Sequence, residues 1–197
     1  MYLGLLLLAL SVVIQILLGH FSSRVSIDAP WVKDVFLDNL PLVNMSFAIV
    51  GGAIVLWVFV WMLLVVRPRY LIFSTKAIAL YVISRAFFFS LTHVGPYPLR
   101  YSPGPHNDGY GLYHLITFQG NFFYSGHTAF PFLMALIFWD NKYLRYLFLV
   151  LSVFFGASVL LAHVHYSIDV FAAPFIVYGM FVITKKLFPE DYALCTP

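Results

Sequence analysis

The chain has 197 residues, 62% of them hydrophobic, 19% aromatic and only 10% charged, with a mean hydropathy of +0.90. An ordinary soluble domain is about 45–50% apolar, so the composition excludes a water-soluble globular protein and describes an integral membrane one. The net charge of +3 is explained by the bias of basic residues toward cytoplasmic loops, so nucleic acid is excluded as a partner.

The length holds about six spans of roughly 20 residues with short connections. The expected fold is therefore all-α: a polytopic bundle of six transmembrane helices formed by a single domain, residues 1–197. No repeat of 20–50 residues is present, and Cys195, the one cysteine, rules out an intrachain disulfide. The start, Met-Tyr-Leu-Gly-Leu-Leu-Leu-Leu, has no basic residue ahead of its apolar run, so it reads as a retained first span.

Span 1 is expected over about Tyr2 to Leu18. In the polar connection to Asn44, Trp31, Val32, Val35, Phe36 and Leu40 recur at helical spacing, with Asp34 and Asp38 on another face. That pattern predicts an interfacial helix lying on the bilayer. Span 2, about Met45 to Val66, is stopped by Arg67-Pro68-Arg69, and span 3 runs from about Leu71 to Val94 with Arg85 well inside. The segment from Gly95 to Tyr124 holds Pro96, Pro98, Pro103, Gly104 and Pro105, too many breakers for a spanning helix. Span 4 is expected from about Ser125 to Trp139-Asp140; Lys142 and Arg145 then mark a short turn, span 5 continues to about His163, and span 6 runs from about Ile168 to Thr184.

Six spans put both termini on one side. Arg67, Arg69, Lys142, Arg145, Lys185 and Lys186 fall on that side, as does Lys76, and Arg24, Lys33 and Arg100 on the other. The termini are therefore expected in the cytoplasm. The end of span 3, the start of span 4 and the junction of spans 5 and 6 then face the periplasm, a lumen or the cell exterior.

Two polar motifs lie on that face. In Ser125-Gly126-His127-Thr128 a loop becomes a helix, whose free N–H groups and positive dipole end suit an anion. Gly126 admits a phosphate close to the backbone, and His127 can give or take a proton there. A capped helix with an interfacial histidine is the other reading.

In the second motif His165 and Asp169 are four apart, which on a continuous helix gives them one face. The carboxylate can then fix the imidazole tautomer and leave the other ring nitrogen as nucleophile or base; a structural His–Asp pair is the alternative. Arg85, about 14 Å below the outer surface if span 3 ends at Val94, either binds phosphate or pairs with Asp169. His163 is a supporting residue of the site or an interfacial one. Lys76, nearer the cytoplasm, is not expected to share the site. In the loop, Tyr101, His106, Asp108, Tyr110, Tyr113 and His114 offer hydrogen bonds and an aromatic surface for a head group, with Asp108 the carboxylate to watch.

These two motifs, in this order, resemble those of the type 2 phosphatidic acid phosphatase superfamily, which carries Ser-Gly-His and His-x3-Asp. Phe-Tyr-Ser-Gly-His-Thr and Ala-His-Val-His-Tyr-Ser-Ile-Asp-Val are most similar to the sphingomyelin synthase-like branch. Arg85 resembles an arginine of its third span, and the resemblance covers about residues 85–170. It implies that His165 is the nucleophile, Asp169 its orienting carboxylate and His127 the acid for the leaving alcohol. Arg85, Ser125, Gly126 and Asp108 would line the substrate. Two histidines supply acid and base without a metal, so no cofactor is implied.

The chain departs from the hydrolytic members, whose Lys-x6-Arg-Pro it lacks and whose Ser-Arg is replaced by Ser158-Val159. Against the synthase-like branch, Asn121 stands where that branch has an aspartate. Fewer cationic phosphate ligands favour a phosphodiester lipid head group over a phosphomonoester. The expected activity is transfer of a phospho-head group from a phospholipid to a lipid hydroxyl, through a phosphohistidine at the outer leaflet. A lipid phosphatase or phospholipase C-like hydrolase, with water as acceptor, is the second reading. An intramembrane zinc amidase using His127, His163, His165 and Asp169 is a third. A membrane scaffold or transporter would not bring His127, Asp169 and Arg85 together.

Overall fold

The computed structural model describes residues 2–26, 28–101 and 123–195, and among these all regular structure is helical. In chain order the helices are α1 Tyr2–Ser26, α2 Phe47–Val66, α3 Pro68–Leu91, α4 Gly126–Ile137, α5 Lys142–Leu161, α6 Ser167–Leu187 and the short α7 Pro189–Ala193. Helices α1, α2, α3, α5 and α6 are long and apolar enough to cross a membrane. The fourth expected span is the shorter α4, whose 12 residues rise only about 18 Å. It is wrapped by the others: Thr128 through Pro131 and Leu133 through Ile137 are all buried.

The bundle is built as apolar solvent demands. The buried residues of α1 are Gly4, Ser11, Gly19, Ser22 and Ser26, while Leu3, Leu5, Leu6, Leu10 and Leu17 are exposed. Between lipid-soluble helices association comes from close backbone approach, which small residues permit. A Cβ on Gly4 would meet Thr75 Oγ1 at 2.5 Å, and Ser22 Oγ donates to the Phe89 carbonyl at 3.3 Å. Helix α1 therefore runs parallel to α3.

Residues near the two chain ends share one end of the bundle. Gly4 packs on Thr75 and Lys76, and the Lys76 ammonium forms an ion pair with Asp191 in α7. The starts of α4 and α6 lie at the opposite end, beside the last turns of α3.

The expected interfacial helix is instead a single turn. Asp34 Oδ1 accepts from the N–H groups of Phe36 and Leu37 at 2.9 and 3.2 Å, which turns the carboxylate inward and closes the turn locally. Asp38 N bonds Asp34 O and Leu40 N bonds Phe36 O, and Pro41 prevents continuation. This strap is stitched across the site end of the bundle. Gly95 N donates to Pro30 O at 3.0 Å and Val43 N to Leu161 O at 2.8 Å, while Tyr97 Oη donates to Asp38 Oδ1 at 2.6 Å. Leu37, Ile49, Val50, Tyr97, Val159, Leu160, Ala162, Tyr166 and Val170 form a second, smaller core beneath it.

Candidate active site

Ser125 stands at the N-cap of α4. Its N–H donates to the Asp169 carbonyl oxygen at 3.0 Å, so one backbone bond ties the two motifs together. The hydroxyl makes no capping bond; it accepts from Thr128 Oγ1 at 3.4 Å and is fully buried. The first N–H groups of α4, from Gly126 onward, still present the positive end of the helix dipole.

Arg85 lies against that end. A Cβ on Gly126 would come within 3.1 Å of Arg85 Nε, 3.2 Å of Tyr81 Oη and 3.3 Å of Arg85 Cζ. Glycine is therefore what lets the guanidinium rest on the first turn of α4. Arg85 Nε donates to the Tyr124 carbonyl at 3.1 Å, and Tyr124 Oη and Ser84 Oγ share a 2.8 Å hydrogen bond. Because α3 ends at Leu91 and not near Val94, Arg85 sits about 9 Å of helical rise from its end. Asp169 is not its partner: that carboxylate engages His165 and the backbone of Tyr166.

His165 Nδ1 bonds Asp169 Oδ2 at 3.2 Å, and both side chains are buried. The pair is not made on a continuous helix. Helix α6 begins at Ser167, so His165 lies in the turn before it. Asp169, in the first turn, reaches back to accept from Tyr166 N at 2.9 Å, the backward half of a capping box. With Nδ1–H donated to the carboxylate, Nε2 carries the imidazole lone pair.

The His127 and His165 rings are 6.2 Å apart between centroids. His127 Nε2 lies 3.1 Å from the Ile49 carbonyl. That main-chain oxygen plays for His127 the part that Asp169 plays for His165, holding one ring nitrogen and assigning chemistry to the other. Ile49 belongs to the π-helical opening of α2, Phe47–Gly52, the kind of local distortion frequent at functional sites. The Gly51-Gly52 pair is the sequence signal that marks it. A Cβ on Gly52 would sit 3.0 Å from Phe155, whose ring in turn lies 6.1 Å from His127.

Further contributors carry no motif. Gly156 brings α5 onto both motif helices, since a Cβ there would meet Val170 at 3.1 Å and Thr128 Oγ1 at 3.2 Å. Ser152 Oγ donates to the Thr128 carbonyl at 2.8 Å. Asp34 Oδ2 accepts from Ser167 N at 2.7 Å. Burial works to raise the pKa of Asp34, but hydrogen bonds from Ser167, Leu37 and Phe36 outweigh it and hold the carboxyl below its ordinary value. The bond to Asp38, followed by burial, pushes the Tyr97 hydroxyl up to about 12.

His163 adopts a left-handed backbone, φ 54°. Its Nδ1 is 3.1 Å from the Leu99 carbonyl, and its ring stands edge-on to Tyr97 at 5.4 Å. It thus braces the 95–101 segment and does not join a ligand set with His127, His165 and Asp169. Among the described residues no three His, Cys, Asp or Glu side chains gather as a metal-binding group. Asp108, Asn121, His106, Tyr110, Tyr113 and His114 lie outside the described residues.

Residues 120–186 match the family model described as PAP2 superfamily C-terminal. The matched stretch contains both motifs, from Ser125-Gly126-His127 to His165 and Asp169, and leaves out Arg85. It supports the PAP2 superfamily, whose members are phosphatases and phosphotransferases, and with it an enzyme acting on phosphate esters. No curated protein and no solved structure matches the chain.

Proposed function

We propose that this protein is an integral membrane lipid phosphotransferase of the sphingomyelin synthase-like kind. It moves a phospho-head group from a phospholipid to a lipid hydroxyl at the outer or lumenal leaflet. The observation that carries the reading is the meeting of a buried His165–Asp169 pair, a second oriented histidine, and a guanidinium resting on a helix N-terminus. Nucleophile, acid and anion site are the three parts that phosphoryl transfer through a covalent enzyme intermediate requires.

In the first step the His165 Nε2 lone pair attacks phosphorus, and the bond from phosphorus to the lipid oxygen breaks. His127 gives that oxygen a proton. Asp169 stabilises the positive charge that develops on the His165 ring. Arg85 and the first N–H groups of α4 take the charge on the non-bridging phosphate oxygens. In the second step an acceptor hydroxyl gives its proton to His127 and attacks phosphorus, and the N–P bond breaks. Arg85 and helix-end N–H groups suit a singly charged phosphodiester better than a doubly charged phosphomonoester. Lys76 is committed to Asp191 at the other end of the bundle.

The superfamily match also favours a hydrolase, which would share the first step and use water in the second. The test is turnover of a labelled phospholipid in liposomes, with and without ceramide or diacylglycerol, beside His165→Ala and in the presence of chelator. Acceptor-dependent product that disappears in the variant and survives chelation is the expected result. Free phospho-alcohol with no acceptor dependence would select the hydrolase, and loss to chelator would reject the metal-free mechanism.

A further inference from the structure

The turn that carries His165 and the first turn of α6 present two successive backbone N–H groups, of Tyr166 and Ser167, and each is taken by a carboxylate. Asp169 Oδ2 accepts the first at 2.9 Å and Asp34 Oδ2 the second at 2.7 Å. Asp169 comes from the same helix. Asp34 comes from the strap, 133 residues away in sequence, and is itself buried.

The second oxygen of Asp34 is not idle. It holds Phe36 N and Leu37 N, so its rotamer is fixed from its own side of the contact. We infer that Asp34 is a positioning residue for the His165–Asp169 pair, acting through the Ser167 N–H. This rests on reading His165 and Asp169 as the reacting pair.

The chemistry demands a carboxylate. Both oxygens of Asp34 accept from N–H donors, on opposite sides. An asparagine offers one acceptor and one donor, so it meets a donor with a donor on one side whichever way it is turned. Alanine leaves both sets of N–H groups without their acceptor. In either case the carboxylate bridge between the strap and the Ser167 N–H is broken on at least one side, so the Tyr166–Ser167 peptide is no longer held from the strap as in the wild type. The carbonyl of the same peptide, Tyr166 O, accepts from Asp169 N at 3.1 Å, so the His165 Nδ1 to Asp169 Oδ2 distance is the first thing to change.

The test compares wild type with Asp34→Asn and Asp34→Ala in detergent micelles, and uses two readouts. One is the proton resonance of the His165 Nδ1–H group, shifted downfield by the carboxylate and assigned by its loss in His165→Ala. The other is the separation of kcat from KM for phospholipid turnover. Both Asp34 variants should move the resonance upfield or broaden it, and lower kcat about tenfold with KM within about twofold, as expected when geometry but not substrate contact is lost. Tyr97→Phe, which releases the 95–101 segment from Asp38 of the strap without touching Ser167, should leave both readouts unchanged.

An unmoved resonance in both Asp34 variants overturns the inference, as does a moved resonance with kcat unchanged. If the resonance moves as expected while the wild type turns over no phospholipid, the positioning role stands and the lipid reading falls.

Discussion

A methyl group on Gly126 would press on the ends of two side chains, Arg85 and Tyr81, and not on backbone. Such tips can yield, so Gly126→Ala should change stability by under about 1 kcal/mol, alanine being also the better helix former. The guanidinium would nevertheless leave its seat on α4. We expect kcat/KM to fall roughly 10- to 100-fold, checked by comparing thermal unfolding with steady-state kinetics in the same detergent. The two histidines, Asp169 and Arg85 were legible in the sequence because ionisable groups at membrane depth are costly and rarely idle. The Ile49 carbonyl was not: a main-chain oxygen has no letter of its own, and only a distortion in α2 aims it at His127. Tyr81 was hidden differently, since tyrosine is common in these chains and nothing in its spacing singles it out.

At the scale of elements, hydropathy placed the spans to within a few residues, and the largest departure was α1, which continues to Ser26. The strap between α1 and α2 was misread. Its apolar spacing is helical, but Asp34 has stronger partners in Ser167, Phe36 and Leu37 than a helix on the bilayer would give it. Long-range bonds of this kind leave no periodic trace. Two outcomes follow. Gly95→Ala would put a Cβ 2.1 Å from the Ala29 carbonyl oxygen, a backbone atom, so the strap must detach at that point. A loss of about 1–3 kcal/mol is expected, read as a lowered midpoint in thermal unfolding.

The second concerns acid. The pKa of Asp34 is depressed in the folded protein, so its contribution to stability is complete above the unfolded carboxyl value of about 3.9. It is lost as pH falls through the folded value. Asp34→Ala should therefore be less stable than wild type at neutral pH, with the gap closing under acid conditions. A gap that is constant from neutral pH to about pH 3 would contradict this.

Across the whole molecule, the chemistry gathers at one end and the closure by α7 lies at the other. The site gathers where α3 finishes and α4 and α6 begin. The other end is closed by α7, through Lys76–Asp191, the Lys76 ammonium 4.4 Å from the Phe188 ring centroid, and Tyr192 packed on Phe73. Lys76→Ala should cost about 1–3 kcal/mol, less than a fully buried pair because Asp191 is partly exposed. Its kcat on a phospholipid should match wild type, because the change is at the far end from His165. Which residues converge was legible from two motifs and a count of spans. How they converge was not, because it depends on α5 approaching α4 and α6 at Gly156 and on the Ser125–Asp169 backbone bond.

The central claim is that His165 carries the phosphoryl group. The most direct measurement is rapid alkaline quenching of the protein with a phospholipid donor, followed by mass mapping of the peptide that spans residues 161–170. An adduct of the phospho-head group on His165, absent from His165→Ala and discharged when a lipid hydroxyl acceptor is added, is the predicted result. Turnover of the donor with no adduct on His165 at any time, or with full activity retained in His165→Ala, would contradict it.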